Sequence, residues 1–545
     1  MSLIRKNWIG ISIVTVLLLL VIVNLYAKDI FSEIDKTFPV IKDVYKEVVI
    51  RYVDDIDTEK FLKAGIDGML STLDPYSTYI EKEDKEQLQI LTDGKYEGVG
   101  MGLSVRNGRV TVIDPPFLGT PAARAGIREG DAIVEVDGEP TKGLSLDKTV
   151  HKIRGPAGSP VTLSIMRNGA EQPLEFTLIR EKIKIEDVRF AGIIDKGIGY
   201  IRLTRFSKNA AQEVREKVRQ FNQEPLNGFI LDLRSNPGGM LDAAVQVADI
   251  FLPKGLVIVS TRGRTKDSIK EYQSRWDPLI HDVPIVVLVN RISASASEIV
   301  AGAIQDHDRG IVIGDTTFGK GLVQTVVPLT HVSALKITTA KYYTPSGRCI
   351  QRQDYSMWAD TVDTAEEIAF QTDNGRPVFG GGGIIPDIVL EPEKVNDLVW
   401  DLQRKSHYFN FAVEYTGTHT KMDSSFQVTD AMIREFEKYL KKQNYVFKHP
   451  IESELSSFKK EVLEEGYDAS VLLDIEKLQK SLDKTKDDMF QSSIKDIKRV
   501  LRLELMSKAF GSQRESEVSL EDDKVVLRGI SLIHDPEFYA NILDK

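Results

Sequence analysis

Val283-Pro-Ile-Val-Val-Leu-Val-Asn290-Arg-Ile-Ser-Ala-Ser-Ala-Ser-Glu-Ile-Val-Ala-Gly-Ala-Ile-Gln305 is the most informative stretch of the chain. Its first eight residues form an apolar run of strand length. From Glu298 onward it is rich in helix formers. Ser293, Ser295 and Ser297 therefore sit where a buried strand turns into a helix. The unpaired backbone N–H groups of a helix start can stabilise a developing oxyanion, so this is a favoured place for an attacking hydroxyl.

A serine needs a base to attack at neutral pH. The chain has eight histidines, and none lies in an evident triad motif. His307, in Gln-Asp-His-Asp, falls on the helix after the serines and reads as a solvated polar residue. Thr317-Phe-Gly-Lys-Gly-Leu-Val-Gln324 offers a better candidate. Lys320 lies between glycines and close to Phe318, Leu322 and Val323. Desolvation there would lower its pKa and let it act as a base. Gln324, four residues on, returns to the same face of a helix or strand and could orient the amine. Taken alone, Lys320 reads equally as a surface lysine in a Gly-rich turn.

Two further segments are Gly-rich. Leu231-Asp-Leu-Arg-Ser-Asn-Pro-Gly-Gly-Met240 follows the apolar run Gly228-Phe-Ile-Leu231. Its paired glycines permit close backbone approach and unusual φ, though Pro-Gly-Gly by itself is a tight turn. Tyr96-Glu-Gly-Val-Gly-Met-Gly-Leu103 leads into a strand-like run, and Asp131-Ala-Ile-Val-Glu-Val-Asp-Gly138 follows downstream. A phosphate loop is the usual rival for such a sequence, but the Gly-Lys-Ser/Thr ending is missing.

Taken together, these segments resemble the C-terminal processing, or tail-specific, proteases: Ser–Lys serine peptidases that carry a PDZ domain. The resemblance picks Ser295 as nucleophile, Lys320 as general base and Gln324 as its orienting partner. Composition alone does not exclude Ser293 or Ser297. The resemblance also implies that a backbone N–H of Gly238 or Gly239, with that of Ala296, forms the oxyanion hole. In the PDZ-like stretch, Gly98, Gly100, Gly102 and Leu103 are the expected peptide contacts, their N–H groups holding a terminal carboxylate while the strand edge pairs with the peptide. The implied fold is multidomain α/β: a crotonase/ClpP-like protease core with a β-rich PDZ domain upstream, a helical N-terminal region and a helical C-terminal extension.

At 545 residues the chain should hold several domains. The expected segments are a signal anchor or signal peptide at 1–28, a helical region at 29–94, the PDZ domain at 95–182, the peptidase core at 183–392 and a helical extension at 393–545. In the helical region Phe31, Ile34, Phe38 and Ile41 fall at helical spacing. In the core, strand-like and helix-like runs alternate, which suggests partly parallel strands. In the extension, Ile475, Leu478 and Leu482, and Ile494, Ile497, Leu501 and Leu505, fall at helical spacing; its charges read as a solvated face.

The net charge of −10 gives no reason to expect nucleic-acid binding. Cys349 is the single cysteine, which excludes an internal disulfide framework. No metal or organic cofactor is implied, since no His/Cys/Asp cluster shows ligand spacing. Trp8 to Ala27 is twenty residues without a charge, preceded by Arg5 and Lys6. That is long enough to cross a bilayer with the start held in the cytoplasm. The expected location is the cell envelope, anchored in the cytoplasmic membrane with the catalytic part on the periplasmic side. Expected partners are protein or peptide substrates with free C-termini, the membrane and possible further copies of the chain. The expected function is a serine endopeptidase that cleaves tail-bearing substrates through an acyl-enzyme; the alternative is a tail-binding adaptor on an inactive core.

Overall fold

The computed structural model describes residues 30–329, 333–352, 368–391, 393–419 and 422–544. The expected signal anchor or signal peptide at 1–28 lies outside the described residues. Among the described residues no helix is long and apolar enough to cross a membrane. The chain divides into two compact units, Met1–Tyr79 and Ile80–Lys545.

The first unit carries the helices Ile30–Arg51 and Thr58–Leu70. Asp57 caps the second by accepting the Lys60 N–H at 3.2 Å. Tyr45 stacks on Phe61 with ring centroids 5.5 Å apart. The apolar stripe lies on the first helix as its spacing requires, yet Ile34, Phe38 and Ile41 are at least half exposed. Beyond the second helix, Asp74 accepts the Tyr76 and Ser77 N–H groups, both at 2.8 Å, and so fixes the Leu73–Ser77 turn.

The second unit contains three packed parts. The PDZ-like part is an antiparallel sheet of Leu103–Arg106, Arg109–Val112, Ala132–Val136, Pro160–Met166 and Leu174–Ile179, in that order, with the helix Leu146–Ile153. Ile133, Leu163 and Ile165 are fully buried in its core. Leu103–Arg106 is an edge strand. The chain reaches and leaves this part through an antiparallel ribbon of Lys95–Gly98 with Glu181–Lys184.

The core is a sheet ordered Val188–Ile194, Ile198–Leu203, Gly228–Asp232, Ile285–Val289, Ile311–Gly314 and Ile388–Val389. Only the first pairing is antiparallel. All five residues of Ile285–Val289 are buried, as a parallel strand covered on both faces demands. Alternation along the strands shows the two coverings. Phe229, Leu231, Ile285 and Val287 pack with the helices Ala210–Phe221, Leu241–Ala248 and Ala296–Asp306. Ile230, Val286, Leu288 and Ile313, pointing the other way, pack against Val526, Leu532, Ile533 and Tyr539.

That second covering revises the expectation for the C-terminal extension. Its helices Pro450–Glu464 and Ala469–Ser492 do face solvent along most of their length. Ile475 is buried but Leu478 is exposed. Ile497, Leu501 and Leu505 enter a separate core with Tyr408 and Phe436. The last helices, Lys524–Ile533 and Pro536–Leu543, close the open face of the core sheet. The approach is tight, because a Cβ at Gly228 would stand 2.4 Å from Ile533 Cγ2. The extension is therefore structural to the core, for the elementary reason that a sheet must bury both apolar faces.

Candidate active site

The strand Ile285–Val289 ends, and Asn290 to Ser295 turn into the helix Ala296–Asp306. The three serines of that turn have different fates. Ser293 and Ser297 are fully buried. Ser293 Oγ donates to the Leu233 carbonyl at 2.8 Å, and Ser297 Oγ donates to the Asn236 carbonyl at 2.9 Å. Ser295 is half-buried. Its φ of 55° and ψ of −112° are rare for a side-chain-bearing residue. Such strain persists only where the surroundings over-determine it, and it recurs at strand-to-helix turns that present a nucleophile.

Glu298 over-determines this turn. It lies on the first turn of the helix and is fully buried. Its Oε2 accepts the Ser295 N–H at 2.7 Å and the Lys320 N–H at 3.0 Å. Both backbone nitrogens thus bond to one oxygen, which keeps them within about 6 Å of each other. Its Oε1 accepts the Gly319 N–H at 2.7 Å and the Thr317 hydroxyl at 2.6 Å. Burial pushes the Glu298 carboxyl up to about 7, against these hydrogen bonds, which hold it down. One carboxylate therefore clasps the serine turn to the lysine loop. Tyr342, fully buried, adds a hydrogen bond from its hydroxyl to the Ser295 carbonyl at 3.2 Å. Burial raises the Tyr342 hydroxyl well above its ordinary range, so it stays a donor.

Lys320 is half-buried, and its Nζ donates to Gln324 Oε1 at 2.9 Å. Gln324 stands in the strand Leu322–Pro328, at a bulge in its pairing with Ala334–Tyr343. The two residues expected to act together do meet.

The Gly-rich loop after Gly228–Asp232 abuts the serine turn. A Cβ at Gly238 would lie 2.9 Å from Ser295 Cβ and 3.0 Å from Ala296 N. A Cβ at Gly239 would lie 2.3 Å from the Phe206 carbonyl oxygen. With φ of 98° and 150°, both positions call for glycine. The two differ as donors: the Gly238 N–H is committed to Asn236 Oδ1 at 2.9 Å. Ala296 N–H is at the first position of its helix, where no intrahelical acceptor exists. Asn236 is buried, and its Nδ2 donates to the Leu203 carbonyl at 2.9 Å.

His307 differs from expectation. It caps the C-terminal end of the serine helix, and its side chain is almost fully buried. Nδ1 meets Asp373 and Nε2 meets the Val257 carbonyl, each at 2.7 Å. Both ring nitrogens are occupied in holding the core together.

The loop of Gly98, Gly100, Gly102 and Leu103 belongs to the PDZ-like part. Gly98 ends the ribbon strand and Leu103 starts the edge strand. Gly100 has φ of 84°, and a Cβ there would strike the Thr120 side chain at 2.4 Å. The Tyr96 ring lies under the Arg154 guanidinium at 5.1 Å, and its hydroxyl interacts with the backbone of Gly100 and Met101. Burial raises the Tyr96 hydroxyl above its ordinary range.

Sequence reasoning did not assign Glu298, Asn236 or Tyr342. A local signal existed only for Glu298, since Ser295-Ala-Ser-Glu298 has the spacing of a capping box.

Residues 197–357 match "Peptidase family S41". Residues 113–167 match "PDZ domain", 25–84 "Activating protease CtpB N-terminal domain" and 398–533 "Probable PDZ-protease, C-terminal helical domain". The carboxy-terminal-processing protease of Bartonella bacilliformis is 40% identical over 359 residues, spanning 65% of this chain and 75% of that one. The carboxy-terminal processing protease CtpB of Bacillus subtilis is 36% identical over 328 residues, spanning 59% and 67%. A solved photosystem II D1 C-terminal processing protease is 29% identical, covers 65% of this chain and 92% of its own, and has a TM-score of 0.35.

Proposed function

This chain belongs to the carboxy-terminal-processing proteases, serine-type peptidases of family S41 with a PDZ domain, and on that premise we propose that it cuts tail-bearing protein substrates with a Ser295–Lys320 dyad. The observation that carries the reading is the Glu298 clasp, which ties the backbone of one half-buried serine to that of one half-buried lysine. Ser293 and Ser297 are disfavoured as nucleophiles, because their buried hydroxyls are spent on carbonyls.

In this mechanism Lys320, as a neutral amine, gives one N–H to Gln324 Oε1, and its lone pair serves the Ser295 hydroxyl. Lys320 takes the Ser295 proton as Oγ attacks a peptide carbonyl. The oxyanion is held by the N–H groups of Ala296 and Gly239, since Gly238 N–H is already used. Lys320 then returns the proton to the leaving amine. The acyl-enzyme that remains is hydrolysed by water, activated by the same lysine. The PDZ loop takes the substrate's free carboxylate, and the edge strand Leu103–Arg106 pairs with the residues before it.

The test is cleavage of an unstructured fluorogenic peptide by Ser295→Ala and Lys320→Ala. Each should lose activity to background, because a dyad acts as a unit. A Ser295→Ala protein that still cleaves would end the proposal.

A further inference from the structure

The loop that bears Gly239 includes Arg234, two residues past the end of the strand Gly228–Asp232. Arg234 Nε donates to both oxygens of Asp232, at 2.9 and 3.0 Å, and Nη2 donates to Asp232 Oδ2 at 2.6 Å. Asp232 is fully buried and also accepts the Tyr200 hydroxyl at 2.7 Å. One carboxylate thus already balances the guanidinium charge. The remaining terminal nitrogen, Nη1, faces another carboxylate: it lies 3.0 Å from Asp523 Oδ1 and 2.8 Å from Oδ2. Asp523 belongs to the C-terminal extension, 289 residues away in sequence.

Asp523 has a second task. Its Oδ1 accepts the Val525 and Val526 N–H groups at 3.0 and 3.1 Å, capping the helix Lys524–Ile533 that covers the core sheet. The aspartate is therefore fixed to a packed element and not to a mobile surface chain. Arg234 is only 16% exposed, so without Asp523 its Nη1 would lose this acceptor in a poorly solvated place.

Beyond Arg234 the loop is conformationally costly. Ser235 has φ of 59°, and Gly238 and Gly239 follow with positive φ. Such a loop keeps one shape only if its ends are pinned. The far end is pinned through Asn236, whose carbonyl accepts Ser297 Oγ at 2.9 Å and the Ala294 N–H at 3.1 Å. The near end is pinned by Arg234. We propose that Asp523 is a positioning residue for the reaction: acting through Arg234, it fixes the Gly239 N–H relative to Ser295. The C-terminal extension would then contribute to transition-state stabilisation as well as to packing. This inference rests on the assignment of Ser295 as nucleophile and Gly239 as oxyanion donor.

The test is Asp523→Asn in the full chain. Asparagine is as good a helix cap as aspartate, so the helix start is kept while the charge is lost. The expected result is a fall of about tenfold in kcat, with KM within about twofold. The melting temperature should move by less than about 3 °C. Asp523→Ser, which also caps, should behave alike. Arg234→Lys should lower kcat similarly, and the double variant should be no worse than either single one, because both break the same link. An unchanged kcat, a rise in KM of the same size, or multiplicative losses in the double variant would each overturn the proposal. If Ser295→Ala is inactive and Asp523→Asn cleaves normally, only this inference fails. If Ser295→Ala cleaves, the assignment beneath it fails.

Discussion

Replacing Glu298 by glutamine removes a charge while nearly keeping a shape. The wild-type carboxylate faces four donors: Ser295 N–H and Lys320 N–H at one oxygen, Gly319 N–H and the Thr317 hydroxyl at the other. An amide has one oxygen, so either orientation points its NH2 group at two of these donors. Each buried donor left without an acceptor costs about 1–3 kcal/mol. Against this, the buried charge disappears. Burial raises the Glu298 carboxyl from 4.5 to about 7. A folded value above the unfolded one means that the fold favours the protonated form. The group's contribution to stability is full below about pH 4.5 and is lost as pH rises through about 7, a loss of about 3 kcal/mol. At pH 8 the two effects largely offset, and Glu298→Gln should melt within several degrees of wild type.

Activity should not be spared, because one arm of the clasp opens in either orientation. Loss of a charge-assisted hydrogen bond, worth about 1.5–3 kcal/mol, corresponds to a fall in kcat/KM of roughly 10- to 100-fold. The pH profile carries the sharper test. Below about pH 7 wild-type Glu298 gains a proton, and the new O–H meets only donors. Wild-type activity should therefore fall on the acid side with an inflection near 7. The variant has no such group, so any acid limb it retains belongs to another residue. The assay is fluorogenic-peptide cleavage from pH 5 to 9.5, with thermal melting in the same buffers. A Glu298→Gln protein within twofold of wild type at every pH, with the same acid limb, would refute the clasp.

Two other perturbations follow from buried groups. The buried Tyr96 hydroxyl interacts with the backbone of Gly100 and Met101, and of these Gly100 is an expected contact of a substrate carboxylate. Tyr96→Phe removes that competitor, so a peptide with a free C-terminus should bind roughly 2- to 10-fold more tightly by fluorescence anisotropy; unchanged or weaker binding would show that the hydroxyl does not compete. Glu129 lies buried against Lys508 of the C-terminal extension, 2.8 Å away, and burial raises its carboxyl from 4.5 to about 7. Its contribution to stability is likewise full below about pH 4.5 and lost as pH rises through about 7. Glu129→Gln should thus gain on wild type between pH 5 and 8, by up to about 3 kcal/mol in denaturant melts; parallel stability curves across that range would exclude an ionising Glu129.

What the sequence made legible was whatever has a local period or spacing. The unbroken apolar run Ile285–Val289 reads as a strand covered on both sides, and it is one. The helices Ala210–Phe221 and Leu241–Ala248 alternate with the core strands, as the alternation of runs suggests. The three serines could not be separated, because what buries Ser293 and Ser297 is the Leu233–Asn236 segment, some sixty residues upstream. Glu298 shows the boundary within one residue. Its bond to Ser295 N–H is local and follows the capping-box spacing, whereas its bonds to residues 317–320 depend on the strand order of the sheet. The same holds for the extension. Helical spacing announces that an apolar face must be covered, but not that the covering partner of Val526 and Ile533 is the back of the core sheet. Nor does any spacing pair Asp523 with Arg234. In this fold the groups proposed to do chemistry have short-range signatures, and the groups that aim them are recruited across long loops. A change of partner at 298 or 523 can therefore lower turnover while leaving every recognisable motif intact.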